Sequence, residues 1–159
     1  MFQVITRSPQ ETLRLGSSLG EKMSAGMVLA LNGALGTGKT VLAKGIARGL
    51  GVKELVISPT FTLIQEYQGR VPLFHFDFYR LDRAEEVEAL GYEEYFLGEG
   101  VCLVEWAEKF PFLLPEDHFE ICIQQVGQNM QERLLKWRSF SSRYAGLEEV
   151  LRQYAVVGH

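Results

Sequence analysis

The run Gly33-Ala34-Leu35-Gly36-Thr37-Gly38-Lys39-Thr40 fits G-x-x-x-x-G-K-[ST] at every fixed position. Phosphate chemistry needs these residue types at this spacing. Glycines let the main chain curl so that successive N–H groups point inward at anionic oxygens. The cradle expected here uses Gly33, Leu35, Gly36, Thr37, Gly38, Lys39 and Thr40. Lys39 adds a compact cation for the outer phosphates, and the Thr40 hydroxyl is a ligand for Mg²⁺. A helix starting at this turn presents unpaired N–H groups and a positive dipole end to the same anion. The motif by itself chooses neither ATP over GTP nor hydrolysis over transfer.

A magnesium site asks for an acidic anchor. Val101-Cys102-Leu103-Val104-Glu105 is apolar and then abruptly anionic. A carboxylate at a strand end is costly unless a cation or water meets it. Glu105 is therefore the expected metal ligand, direct or through water, with a carboxylate merely emerging into solvent as the plainer alternative. In Leu73-Phe74-His75-Phe76-Asp77-Phe78, alternation sets the three Phe residues on one face and His75 and Asp77 on the other. Asp77 would hold a metal-bound water, orient an attacking water or pair with Arg80. His75 reads as a hydrogen-bonded core histidine. In Ser58-Pro59-Thr60-Phe61, Thr60 would reach the γ-phosphate or the metal and release it after hydrolysis, unless the segment is only a proline turn opening a strand. The expected catalytic set is thus Lys39, Thr60, Asp77 and Glu105, with Thr40 and Glu105 at the metal.

These residues need a scaffold. Residues 1–6 read as extended. Ser8-Pro9-Gln10-Glu11 has the form of a helix start, and Leu15, Leu19 and Met23 follow on one face. Residues 28–31 form a continuous apolar run suited to a strand buried on both faces. Leu42, Ile46 and Leu50, with Ala43 and Ala47 beside them, predict a helix after the glycine-rich turn, ended by Gly51. Residues 55–57 read as a short strand. Residues 61–67 and 71–78 form a hairpin-like pair about Gln68-Gly69-Arg70. A helix is expected over 82–90, capped by Asp82 with Glu85 in the capping box. Residues 101–104 are a buried strand, 119–124 an edge-type strand that 132–140 can pair with, and 147–154 a terminal helix. Strands alternating with helices, then a late antiparallel hairpin, predict an α/β layered domain spanning 1–159.

Composition bounds the function. The chain has 159 residues, 47% apolar and 23% charged, with a net charge of −4, which fits one ordinary globular domain. No basic stripe marks a stand-alone nucleic-acid binder. The two cysteines, Cys102 and Cys122, lie in apolar runs and read as free thiols of a reducing cytosol. No stretch is long and apolar enough to span a bilayer, and residues 1–19 lack an export pattern, so a cytoplasmic protein without membrane contact is expected. A small-molecule kinase is one rival; it would carry an Arg-rich lid, whereas Arg80 and Arg83 are only a pair. A GTPase would show an N-K-x-D segment, which does not occur. A nucleotide-gated binding module with negligible turnover is the other rival.

Four segments together resemble one family: the phosphate loop, Ser58-Pro59-Thr60-Phe61-Thr62-Leu63, His75-Phe76-Asp77-Phe78-Tyr79-Arg80-Leu81 and Leu103-Val104-Glu105-Trp106. In order and spacing they are similar to the TsaE (YjeE) family, bacterial ATPases of threonylcarbamoyl-adenosine formation in tRNA. The resemblance runs from residues 6–15 to about Cys122. It implies a small P-loop NTPase domain with a mixed, mainly parallel sheet, and it implies ATP or ADP with Mg²⁺ as ligands. It implies slow hydrolysis by the protein alone and support of repeated turnover by the TsaB and TsaD partner proteins, with tRNA reached only through that complex. By motif match, Thr40 and Glu105 carry over to the metal, Asp77 as an acidic site residue, Thr60 as a switch residue and Trp106 as a tryptophan beside the metal. Ala34, Val41 and Ala107 stand where the family usually has an acid, a second Thr and Pro. Arg133 and Ser8 are weaker candidates for contacts with nucleotide and base.

Overall fold

Ser8 does what its position predicts. Its hydroxyl accepts the Glu11 N–H at 3.1 Å, and helix α1 (Pro9–Glu21) opens with proline in its first turn. The computed structural model describes residues 2–34, 38–57, 59 and 62–156. Strand β1 (Phe2–Thr6) precedes α1, and β2 (Val28–Asn32) follows it, buried as its apolar run requires. Helix α2 (Lys39–Gly49) starts at the glycine-rich turn. Strands β3 (Ile64–Gln68) and β4 (Pro72–Asp77) form the expected hairpin. Short helices α3 (Ala84–Glu88) and α4 (Tyr92–Phe96) lead to β5 (Val101–Glu105). The chain then forms β6 (Phe119–Val126), β7 (Asn129–Ser139) and α5 (Ala145–Val156).

All seven strands join one sheet in the order β1-β7-β6-β2-β5-β4-β3. The central run β6, β2, β5 and β4 is parallel; β3, β7 and β1 are added antiparallel. This is the α/β layering with a late antiparallel hairpin that the residue pattern predicts, and the mixed, mostly parallel sheet that the family resemblance implies. Helices α1, α2 and α5 cover one face, where Leu15, Leu42, Ile46 and Leu151 meet Leu29, Leu103 and Ile121. The second layer, with Val87, Phe96 and Phe110, covers the opposite face against Ala30, Phe76 and Val104.

Three local expectations are corrected. Residues 55–57 are not a strand: Leu55 and Ile57 are 78% and 56% exposed, and only Val56 is buried. The helix expected over 82–90 is shorter and its cap moves by one residue. Glu86, not Glu85, accepts the Arg83 N–H; α3 ends with Ala89 as its C-cap, and Gly91, at φ 72°, opens α4 instead of ending α3. β6 is no edge strand, since β2 and β7 flank it.

The contact between α1 and α2 places the phosphate loop. Gly16 and Gly20 of α1 face Gly45 and Gly49 of α2. A Cβ at Gly49 would sit 2.1 Å from the Ser17 carbonyl, and one at Gly20 would sit 2.2 Å from that of Ile46. Only glycine lets these backbones approach so closely.

Candidate phosphate and metal site

Parallel strands β2, β5 and β4 end on the same edge of the sheet, with Leu31 beside Glu105 and Glu105 beside Asp77. The loop leaving β2 returns as the first turn of α2. Gly33 and Gly38 hold φ of 145° and 101°, left-handed values that a side chain would resist. Gly38 caps α2 without a side-chain acceptor, so the first-turn amides face outward for an anion. Leu35, Gly36 and Thr37 of the expected cradle, and Thr60 of the expected switch, lie outside the described residues.

Lys39, the first residue of α2, is 5% exposed. Its ammonium donates to the Gly33 carbonyl and lies 3.8 Å from the centre of the Trp106 ring. Burial lowers its pKa; the carboxylates of Glu105, Glu108 and Asp77 oppose that shift. Thr40 follows in the same turn, half-buried. Trp106 reaches the ammonium because its backbone turns left-handed (φ 61°) directly after β5, and Tyr79 packs on its ring at 4.9 Å.

Glu105 and Asp77 are both buried at their strand ends. One Asp77 oxygen, Oδ1, accepts the Tyr79 N–H at 2.8 Å, which fixes the carboxylate against its own turn. The Asp77 amide in turn donates to the Leu63 carbonyl at 3.0 Å, tying the end of the 58–63 segment to the acidic pair. His75 Nε2 lies 2.6 Å from Glu105 Oε2. The buried histidine read from the sequence is therefore joined to the expected metal ligand.

Glu108 is the acidic neighbour that sequence reading missed. It sits in the 3-10 turn Ala107–Lys109 after Trp106, and its Oε2 accepts the Gly33 N–H at 3.4 Å. Its signal was an acid one helical turn beyond Glu105. Arg133, on β7, comes close to the α2 cap: a Cβ at Gly38 would lie 3.5 Å from its Nε. Ser8 serves as the α1 cap.

Hard oxygen donors suit magnesium. Among the described residues no group of three His, Cys, Asp or Glu side chains is arranged to hold a metal unaided. Magnesium is commonly held by one or two carboxylates together with substrate phosphates. Glu105, Asp77 and the Thr40 hydroxyl fit that donor set. Among the described residues no helix is long and apolar enough to cross a membrane.

Residues 6–134 match the family described as threonylcarbamoyl adenosine biosynthesis protein TsaE. The tRNA threonylcarbamoyladenosine biosynthesis protein TsaE of Bacillus subtilis (strain 168) is 43% identical over 150 residues, covering 94% of this chain and 92% of that one. The protein of the same name from Treponema pallidum (strain Nichols) is 41% identical over 131 residues, 82% of this chain and 97% of its own. The crystal structure of YdiB from Bacillus subtilis superposes with a TM-score of 0.82 at 38% identity, covering 97% of this chain and 95% of that one.

Proposed function

Because this chain belongs to the TsaE family of tRNA threonylcarbamoyladenosine biosynthesis, we propose that it is a Mg²⁺-dependent ATPase that drives repeated turnover of the TsaB–TsaD complex. In this reading residues 1–159 act as a single domain, in the cytoplasm, and tRNA is reached only through the partners. One observation carries the reading: the Lys39 ammonium, at the head of α2, is set among the carboxylates of Glu105, Glu108 and Asp77. A polyphosphate brought into so acidic a site needs further positive charge.

Each residue then has a task. The amides of residues 35–40 and the Lys39 ammonium hold the phosphates. Thr40 and Glu105 hold magnesium, directly or through water. Magnesium, when bound, supplies positive charge against the phosphate oxygens. Asp77, fixed by the Tyr79 amide, orients the attacking water. Trp106 holds the Lys39 ammonium on its ring face until the phosphates take it up. Thr60 senses the γ-phosphate. Loss of that phosphate frees residues 58–63, whose Leu63 carbonyl is bonded to the Asp77 amide, and the partners read that change.

The test is reconstitution with TsaB and TsaD, following tRNA modification over several turnovers. ATP is expected to sustain turnover and a non-hydrolysable analogue to allow one round at most. Equal turnover with both would leave a nucleotide-gated module, and rapid phosphoryl transfer to an added small-molecule acceptor would leave a kinase.

A further inference from the structure

His75 is a buried polar side chain to which the mechanism above gives no task. We infer that it is a positioning residue: its Nε2–H holds Glu105 by Oε2 and leaves Oε1 as the oxygen that meets magnesium. The inference rests on the reading of Glu105 as a metal ligand.

Register explains how the pair forms. β4 and β5 are parallel, with His75 beside Leu103 and Asp77 beside Glu105. Alternation keeps His75 and Asp77 on one face, so the ring lies one step deeper than the acidic pair. From that depth Nε2 reaches Glu105 Oε2 at 2.6 Å. With the carboxylate ionised, the ring nitrogen is the donor.

The ring serves nothing else. It is fully buried, and Nδ1 has no hydrogen-bond partner among the described residues. Its neighbours along β4 and β5, Leu73, Leu103 and Val101, are apolar and fully buried. A leucine would fill such a place without an unpaired nitrogen, and burying a bonded polar pair seldom stabilises a fold over its apolar replacement. What the hydrogen bond supplies is direction. A free glutamate samples many rotamers, whereas one held by Oε2 keeps its other oxygen in a fixed place. Partners of this kind govern metal affinity by about 10- to 100-fold.

The test compares near-isosteric variants. His75→Gln keeps a donor close to the Nε2 position; His75→Met has similar length and no donor. ADP is titrated calorimetrically into each protein with MgCl₂ and with EDTA, and melting temperatures are recorded. ADP affinity in EDTA is expected to stay within about twofold of wild type in both variants. The enhancement of affinity by magnesium is expected to fall about tenfold or more in His75→Met and to stay within about threefold in His75→Gln. A packing role would move the melting temperature without this split. If His75→Met does not fold, His75→Asn, whose amide stops short of Glu105, decides the same question. Full magnesium enhancement in a donorless variant overturns the inference. So does failure of both donorless variants to fold while His75→Gln folds, because the bond is then a stability device. No magnesium enhancement in the wild-type protein would instead overturn the metal reading of Glu105, and the inference with it.

Discussion

Replacing Lys39 with alanine tests the phosphate site most directly. A hydrogen bond from a charged donor is worth ~1.5–3 kcal/mol, which at about 1.4 kcal/mol per tenfold corresponds to about ten- to over a hundredfold in affinity. The free protein already gives this ammonium partners: the Gly33 carbonyl and the face of Trp106 at 3.8 Å. Leaving an aromatic face forfeits ~0.5–1 kcal/mol, so the net loss in Lys39→Ala falls near ~1.5 kcal/mol, about twelvefold weaker Mg-ADP binding. The assay is calorimetric titration at fixed salt. A double-mutant cycle with Trp106→Leu checks the correction: the ring should change nucleotide affinity by about two- to fivefold only when Lys39 is present. Unchanged affinity in Lys39→Ala would refute the site. An effect of Trp106→Leu that persists without Lys39 would refute the part assigned to the ring.

Burial lowers the Lys39 pKa, so the unfolded chain binds a proton that the folded one releases. In the window from that depressed value up to 10.5, the nucleotide-free protein should gain stability as pH rises. Lys39→Met should remove that part of the slope in denaturant titrations taken across pH. Glu105→Gln should leave ADP affinity in EDTA unchanged or slightly higher, abolish the magnesium enhancement, and slow partner-stimulated hydrolysis about 10²-fold or more in a phosphate-release assay. Gly49→Ala places a methyl 2.1 Å from the Ser17 carbonyl and should cost at least ~2 kcal/mol in chemical denaturation. At Gly91 an added Cβ meets nothing within 4 Å, so Gly91→Ala should cost only the strain of φ 72°, ~1 kcal/mol.

What the sequence disclosed and what it hid divide along the range of the interactions. The glycine-rich motif is contiguous, and its strand and helix flanks are set by local periodicity, so both flanks could be read from the sequence. β6 was misplaced for a physical reason. Its inward residues Phe119, Ile121 and Ile123 pack beneath the helices, whereas the second layer gathers residues of β2, β5, β4 and β3 and none of β6, leaving Glu120 and Cys122 half-covered. A central strand with one thinly covered face alternates as an edge strand does. The α1–α2 crossing escaped because the large apolar residues carry the periodic signal, while the four glycines that set the approach carry none. The pairing of His75 with Glu105 spans thirty residues and exists only through the β4–β5 register, which no local pattern encodes. The acids themselves were legible, each as a charge closing an apolar run. Their neighbourhood gives that pattern its meaning. Two carboxylates side by side at adjacent strand ends repel each other, and burial denies them the water that would screen the repulsion. Lys39 offsets only part of that charge, and its own burial disfavours its ammonium form. A fold gains little stability from such an arrangement, and this is the charge that the proposed magnesium would answer.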